Sequence, residues 1–325
     1  MPQKVILRAA GARASVLALD LGATTIKGAL VHRGALVAHE RVATPGLEGA
    51  SAVLDAAVRC LERLRVRAER TRICVDAIGI ASCGMIDPVE GVVVDSTETM
   101  RGWRGTRLRA EVERRMGLRV AVENDGRAAA LAEARLGAGA QGAKICVMLT
   151  LGTGVGGGVA INGTVISGAG SLAGALGHLD VSGAISGRAP RCACGRRGCL
   201  EAYLSAFACR RDLRAEPKEV FAAARRGVAA ESAWVQRGAT ALGAACAHIA
   251  HVLNPDVIAI GGGIAAGWPQ LSPTAAAAFH KNALPRTVAT TRLVRSRLGA
   301  DASLLGAALC ATPWRGGPTS ARSRP

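Results

Sequence analysis

Aromatic residues are almost missing from this chain: four Trp, one Tyr and three Phe among 325 residues. Proteins that grip single-stranded nucleic acid stack its bases on aromatic platforms, so that class loses its main support. Long apolar runs are missing too. A membrane helix needs roughly 18–20 consecutive apolar residues. The most apolar stretches, residues 145–161 and 239–253, are broken by glycines or histidines. Residues 1–15 are basic and hold no acid, but they lack an apolar core with a small-residue cleavage site. That argues against a secretory leader and for a short floppy extension on a cytoplasmic protein. Lysine is scarce, five against 36 arginines, within a net charge of +17. The arginines are spread along the whole chain rather than massed in one stripe, as on a solvated surface; a phosphate-rich ligand is the alternative their charge keeps open.

What remains is a globular composition, half hydrophobic and rich in Gly and Ala, long enough for two domains with separate cores. The ten cysteines do not read as a disulfide framework. Three of them crowd into eight residues, and the others sit mostly in apolar surroundings as small core residues. A reducing compartment fits that usage.

Pattern and punctuation give a coarse map. Residues 16–21 read as a buried strand entering a Gly turn, 28–42 as a hairpin and 50–70 as an amphipathic helix. Strands follow at 73–80 and 118–122, with a helix at 106–116 between them. Asn124 and Asp125 cap a helix of strong formers from Arg127 onward. In the second half, strands are expected at 145–151, 159–161 and 257–260, with an Asn162-Gly163 turn. Helices are expected at 218–226, 232–253 and 300–309, and residues 313–325 read as a disordered tail. Residues 20–27 and 151–158 echo one another: each follows a buried strand, turns on glycine and leads to another strand.

Several motifs carry chemistry. Asp20-Leu21-Gly22-Ala23-Thr24-Thr25-Ile26-Lys27 has the form D-x-G-x-T-x-x-K. Gly22 lets amides approach phosphate oxygens, Thr24 and Thr25 can donate to them, and Asp20 can hold Mg²⁺ directly or through water. An ordinary Gly turn with an Asx contact is the bland alternative. Gly152-Thr153-Gly154-Val155-Gly156-Gly157-Gly158 is a second glycine segment; a strand follows it, which excludes the Rossmann fingerprint, and no Gly-Lys-Ser/Thr closes it as a Walker loop. Gly262 and Gly263, after another strand, can line the adenosine side or simply turn the chain. Glu123-Asn124-Asp125 reads first as a helix cap. An Asp at a strand end beside a nucleotide cleft is also where a hydroxyl finds its base, with Asn124 orienting a neighbouring hydroxyl.

The strongest single signal is H-x13-C-x-C-x4-C, formed by His178, Cys192, Cys194 and Cys199. Three thiolates and an imidazole complete a tetrahedral zinc set with no open position, which favours a structural metal. Such a site would order a loose loop and fix Glu201 two residues beyond it. Free thiols beside a lone His are the alternative.

In order, DLGATTIK, ASCGMID, GWRG, ENDGRAAALAE, LGTGVGGG, GHLDV, CACGRRGCLE and NPDVIAIGGGI resemble the ROK family of repressors and sugar kinases over residues 15–311. The resemblance implies an α/β, actin-like (ribonuclease-H-like) ATPase fold: two α/β domains around a nucleotide cleft. The first domain is expected over residues 1–125 with a returning helix in 301–325, the second over 126–300 with the zinc loop. It implies ATP-dependent phosphorylation of a hexose, glucose at its 6-hydroxyl by default. Asp125 aligns with the catalytic base, and Asn124, His178 and Glu201 with sugar-binding positions. The glycine segments align with ATP phosphate contacts. A homodimer is implied as well.

Three places depart from the family pattern, the first being the segment near Cys83-Gly84, where a usual proline is missing. Ala175 stands where a sugar-binding Glu is usual, three residues before His178, and Arg127 stands where a small residue or Asn is common. Losing a charged hydroxyl partner costs about 1.5–3 kcal/mol, roughly tenfold to over a hundredfold in affinity. The sugar is therefore open, with N-acetylhexosamines as an alternative. So is a non-catalytic sugar-binding or regulatory role, and polyphosphate as donor. The roughly 15 residues before the first motif are too few for the helix-turn-helix of a family repressor, so nucleic acid is not an expected partner.

Overall fold

The computed structural model describes residues 14–96 and 99–312; the expected basic extension and C-terminal tail lie outside the described residues. The first half contains β1 (Ser15–Leu21), β2 (Thr25–His32), β3 (Ala35–Ala43), α1 (Ala50–Arg70), β4 (Ala77–Ser82), β5 (Met85–Asp87), β6 (Val92–Asp95), α2 (Leu108–Met116), β7 (Val120–Asn124) and α3 (Asp125–Leu136). The second half contains β8 (Ile145–Leu151), β9 (Val155–Ile161), β10 (Thr164–Val165), α4 (Leu200–Tyr203), α5 (Ala206–Leu213), α6 (Pro217–Arg225), α7 (Ala229–Leu253), β11 (Val257–Gly261), α8 (Trp268–Asn282), α9 (Pro285–Thr290), β12 (Arg292–Arg295) and α10 (Ala302–Cys310).

The two halves repeat one topology. One sheet runs β3-β2-β1-β4-β7 and the other β10-β9-β8-β11-β12. In each, three antiparallel strands are followed by two parallel ones. Even the hairpin turns match. Arg33-Gly34 and Asn162-Gly163 each take positive φ at both central residues, the type I′ turn that suits two twisted strands. The short echo between the two glycine turns is thus part of a full structural repeat, and the architecture is the actin-like one the resemblance implies.

Side-chain alternation explains how the layers stack. Leu17, Leu19 and Leu21 of β1 face the core under α1 and α2. Val16 and Ala18 face the opposite way, with Ala77 and Ala81 of β4, into a core of small residues shared with α3, α10, Met148 and Ala259. This third core joins the two sheets. Its helices approach closely because they are small on every side: a Cβ on Gly306 of α10 would lie 1.9 Å from Ala128 O of α3. Among the described residues no helix is long and apolar enough to cross a membrane.

Some expected boundaries move. The strand expected from residue 73 begins at Ala77, and the one expected at 118–122 runs from Val120 to Asn124, so Asn124 closes the strand. The strand expected at 159–161 begins at Val155, four residues inside the glycine segment. Gly156, Gly157 and Gly158 are therefore strand residues paired with β8, and the turn is only residues 152–154. α8, α9 and the edge strand β12 carried no clear sequence signal: α8 opens Trp-Pro and holds an internal Pro273, and β12 is only four residues of RLVR.

Candidate active site

The carboxyl ends of the parallel strands line up along one edge of each sheet, where open α/β sheets bind ligands. Leu21 of β1 registers with Ser82 of β4, and Ser82 with Asn124 of β7. In the second sheet Thr150 registers with Gly261. Asp20, Cys83, Asn124 and Asp125 therefore emerge side by side from one sheet, and the 152–154 turn and Gly262 from the other.

Asp125 is the first residue of α3, and Asn124 is its cap. Asn124 Oδ1 accepts from Arg127 N at 3.0 Å, while Asn124 Nδ2 donates to Gly84 O at 2.8 Å and to Asp125 Oδ1 at 2.9 Å. Gly126 N also donates to Asp125 Oδ1, at 2.8 Å. One carboxylate oxygen is thus fixed from two sides, and Oδ2 makes no hydrogen bond within the described residues. Burial, helped by the nearby Asp20 carboxylate, pushes the Asp125 carboxyl from 3.8 up to about 6. That suits a group that must take a proton near neutral pH. Both amide hydrogens of Asn124 are engaged inside the protein, one of them on Asp125.

Asp20 is 9 % exposed. Lys27 Nζ donates to its Oδ2 at 2.9 Å and to Ala300 O at 3.0 Å, tying the first glycine turn to the segment before α10. Burial raises the Asp20 carboxyl against the pull of Lys27. The turn is closed by Gly22 N donating to Thr25 O at 3.1 Å and braced by Thr44 Oγ1 on Gly22 O at 2.7 Å, which leaves Thr24 exposed at its tip.

The second turn is one residue tighter, closed by Gly152 N donating to Gly154 O at 2.9 Å, and it likewise leaves a threonine, Thr153, exposed. Gly262 packs at its base: with φ +83, a Cβ there would lie 2.3 Å from Leu151 O. Gly263 follows it at the start of a 3-10 turn. Gly157 serves packing in addition. A Cβ on Gly126 would lie 2.6 Å from Gly157 O, and one on Gly174 the same distance from that oxygen. The helix start carrying Asp125 and the loop before His178 thus both rest on β9.

Beyond that loop, Glu201 Oε2 accepts from Val155 N at 2.9 Å, and its Oε1 lies 3.3 Å from Cys192 Sγ as acceptor. The ligand atoms of His178, Cys192, Cys194 and Cys199 all lie within 4.8 Å of one another. Cys194 and Cys199 are 3.7 Å apart, as are Cys192 Sγ and His178 Nδ1. Such a set fits a metal ion, with Nδ1 as the imidazole ligand. The structure therefore gathers the candidate residues into two clusters that meet where Gly126 touches Gly157. Cys83 is a neighbour that sequence reasoning passed over. Burial and the carboxylates of Asp125 and Asp20 hold its thiol protonated. Arg127, noted only as a departure, lies fully buried behind Asp125.

Known proteins are similar to this chain in sequence and in fold. The chain is 33% identical over 309 residues to a glucokinase of Halalkalibacterium halodurans, covering 89% of this chain and 92% of that protein. It is 30% identical over 302 residues to an N-acetylmannosamine kinase of Haemophilus influenzae, covering 90% and 93%. Among solved structures, a ROK family glucokinase from Streptomyces griseus in complex with glucose and AMPPNP superposes with a TM-score of 0.78 at 29% identity, over 92% of this chain and 99% of that one. The ROK family model matches residues 16–313, a span that takes in both sheets, both glycine turns and the thiol cluster. By sequence and by fold, this chain belongs to the ROK family.

Proposed function

We propose that the protein is an ATP-dependent sugar kinase that phosphorylates a hexose hydroxyl, with Asp125 as general base. The observation that carries this reading is the Asp125 carboxyl: pinned through Oδ1, open at Oδ2, and raised to about 6 at the mouth of a doubled nucleotide-type fold. A sugar hydroxyl donates to Oδ2. As its oxygen attacks the γ-phosphorus, Asp125 takes the proton and the bond to the bridging oxygen breaks, releasing ADP. The turn at Gly22, Thr24 and Thr25 and the turn at Gly152, Thr153, Gly154 and Val155 would line the triphosphate, with the exposed Thr24 and Thr153 offering hydroxyls, and Gly262 and Gly263 the nucleoside. Lys27 is held by Asp20, whose Oδ1 remains for Mg²⁺ or its water shell.

Zinc fits the thiol cluster. Bonds of about 2.3 Å in a tetrahedral site set ligand-to-ligand edges near ~3.8 Å, and the two measured edges are 3.7 Å. Held by His178, Cys192, Cys194 and Cys199, the metal would supply structure, closing the loop and leaving His178 Nε2 and Glu201 to the sugar side. For the division into residues 1–125 with 301–325 and residues 126–300, packing of the described residues supports the return of α10 to the first unit, since α3 lies on β8 and β9 while α10 lies on β1 and β4.

Glucose is the first sugar to try, in line with the glucokinase relatives. An N-acetylhexosamine is the second reading, favoured by Ala175, which offers space and no carboxylate at that wall. A panel of glucose, mannose and their N-acetylated amino counterparts, read by ADP release from zinc-loaded protein, separates the two. No sugar-dependent ADP release from any of them would overturn the kinase assignment.

A further inference from the structure

Arg127 is 0 % exposed, yet the helix around it is built from alanines. A buried guanidinium is costly unless every donor finds a partner. Here they do. Nε donates to Glu123 Oε1 at 2.7 Å, Nη1 to Ser171 O at 2.7 Å and more weakly toward Ala173 O at 3.5 Å, and Nη2 to Ile86 O at 2.5 Å. Three separate segments thus converge on one side chain: the end of β7, the hairpin strand β5, and the loop of residues 166–175. That loop is otherwise poorly suited to hold its shape, with Gly168, Ser171 and Gly174 all at positive φ. Ser171, a non-glycine residue in that region, presents its carbonyl directly to Arg127. The loop ends at Ala175, the wall position that lacks a carboxylate, three residues before His178.

We propose that Arg127 is a positioning residue that fixes the sugar-side wall of the site, clamping the 166–175 loop through its backbone carbonyls. The substrate part of this inference rests on the sugar lying between Asp125 and His178. A guanidinium suits the task because its three nitrogens are spread across a rigid planar fork, whereas Lys brings all its donors on a single nitrogen.

Two variants test it. Arg127→Lys keeps a cation for Glu123, and Glu123→Gln with Arg127→Met removes both buried charges together, so neither leaves an isolated ion. In both, amide hydrogen exchange of residues 166–175 is expected to speed up at least tenfold, with α1 unchanged. The KM for the sugar is expected to rise about tenfold or more, with the KM for ATP within twofold and the acid limb of the pH profile in place. A purely structural ion pair would instead lower kcat with the folded fraction and leave both KM values alone. That outcome, or unchanged exchange in the loop, overturns the proposal. Should the wild-type protein show no sugar-dependent turnover, the kinase reading fails, and the exchange measurement still decides the clamp.

Discussion

As the proposed base, Asp125 would serve catalysis at the expense of the fold. Its carboxyl titrates near 6 in the folded protein against 3.8 in the unfolded chain, so the folded state holds its proton more tightly. The sign follows: below pH 4 both states are protonated and nothing is lost, while above pH 6 the fold carries a penalty of roughly 1–3 kcal/mol. Asp125→Asn should therefore unfold at a higher denaturant midpoint than wild type at pH 7, and the gain should vanish near pH 4. Equal midpoints at both pH values would show that burial does not strain this carboxyl. The same titration predicts that kcat/KM falls on the acid side with a midpoint near pH 6; a profile flat down to pH 5 would rule out Asp125 as the base. These site residues were legible in the sequence because each is chemically conspicuous and closely spaced with its partners, as in Asn124-Asp125 or the Cys192–Cys199 cluster. Arg127 was visible only as an oddity. Apart from Glu123, its partners are main-chain carbonyls some forty residues away on either side, and no side-chain pattern announces a carbonyl.

At the level of elements, the glycine segment after β8 divides into two jobs. Residues 152–154 make the turn, and Gly157 gives α3 and the 174–176 loop their close seat on β9. Adding a Cβ at Gly157 would bring it 2.6 Å from Met148 O and 2.9 Å from Leu176 Cδ1. Gly157→Ala should destabilise by about 1–3 kcal/mol through overpacking, whereas Gly183→Ala, with nothing within 4 Å, should stay near neutral. Denaturant melts of the two variants check this, and equal stability would refute the packing role. The sequence alone could not separate these jobs, since a glycine looks the same in a turn and in a strand pressed against a helix. The thiol loop makes a second prediction at this scale. Cys199→Ser should lose bound zinc and lower the melting temperature, while Cys60→Ser, in the α1 core far from the cluster in sequence, should keep its zinc. Zinc content by atomic absorption on both proteins is the readout; retained stoichiometric zinc in Cys199→Ser would remove that residue from the ligand set.

The whole molecule is one design used twice. Two sheets of the same topology, with matching hairpin turns and corresponding glycine turns, are joined through the small-residue core around α3 and α10. From the sequence only the glycine echo hinted at this, because the repeat lies in strand order and turn type rather than in residue identity. Doubling places the ends of both sets of parallel strands around one site, with Asp20 and Asp125 from one sheet and the turn, Glu201 and the thiol loop from the other. The central claim is that this site moves a phosphoryl group to a sugar through Asp125. The most direct measurement is sugar-dependent ADP release by zinc-loaded wild type and Asp125→Asn side by side, with folding of both verified by circular dichroism. The account predicts turnover in the wild type and a loss of about 10²–10⁴-fold in the folded variant. Near-equal turnover in the two proteins would contradict it.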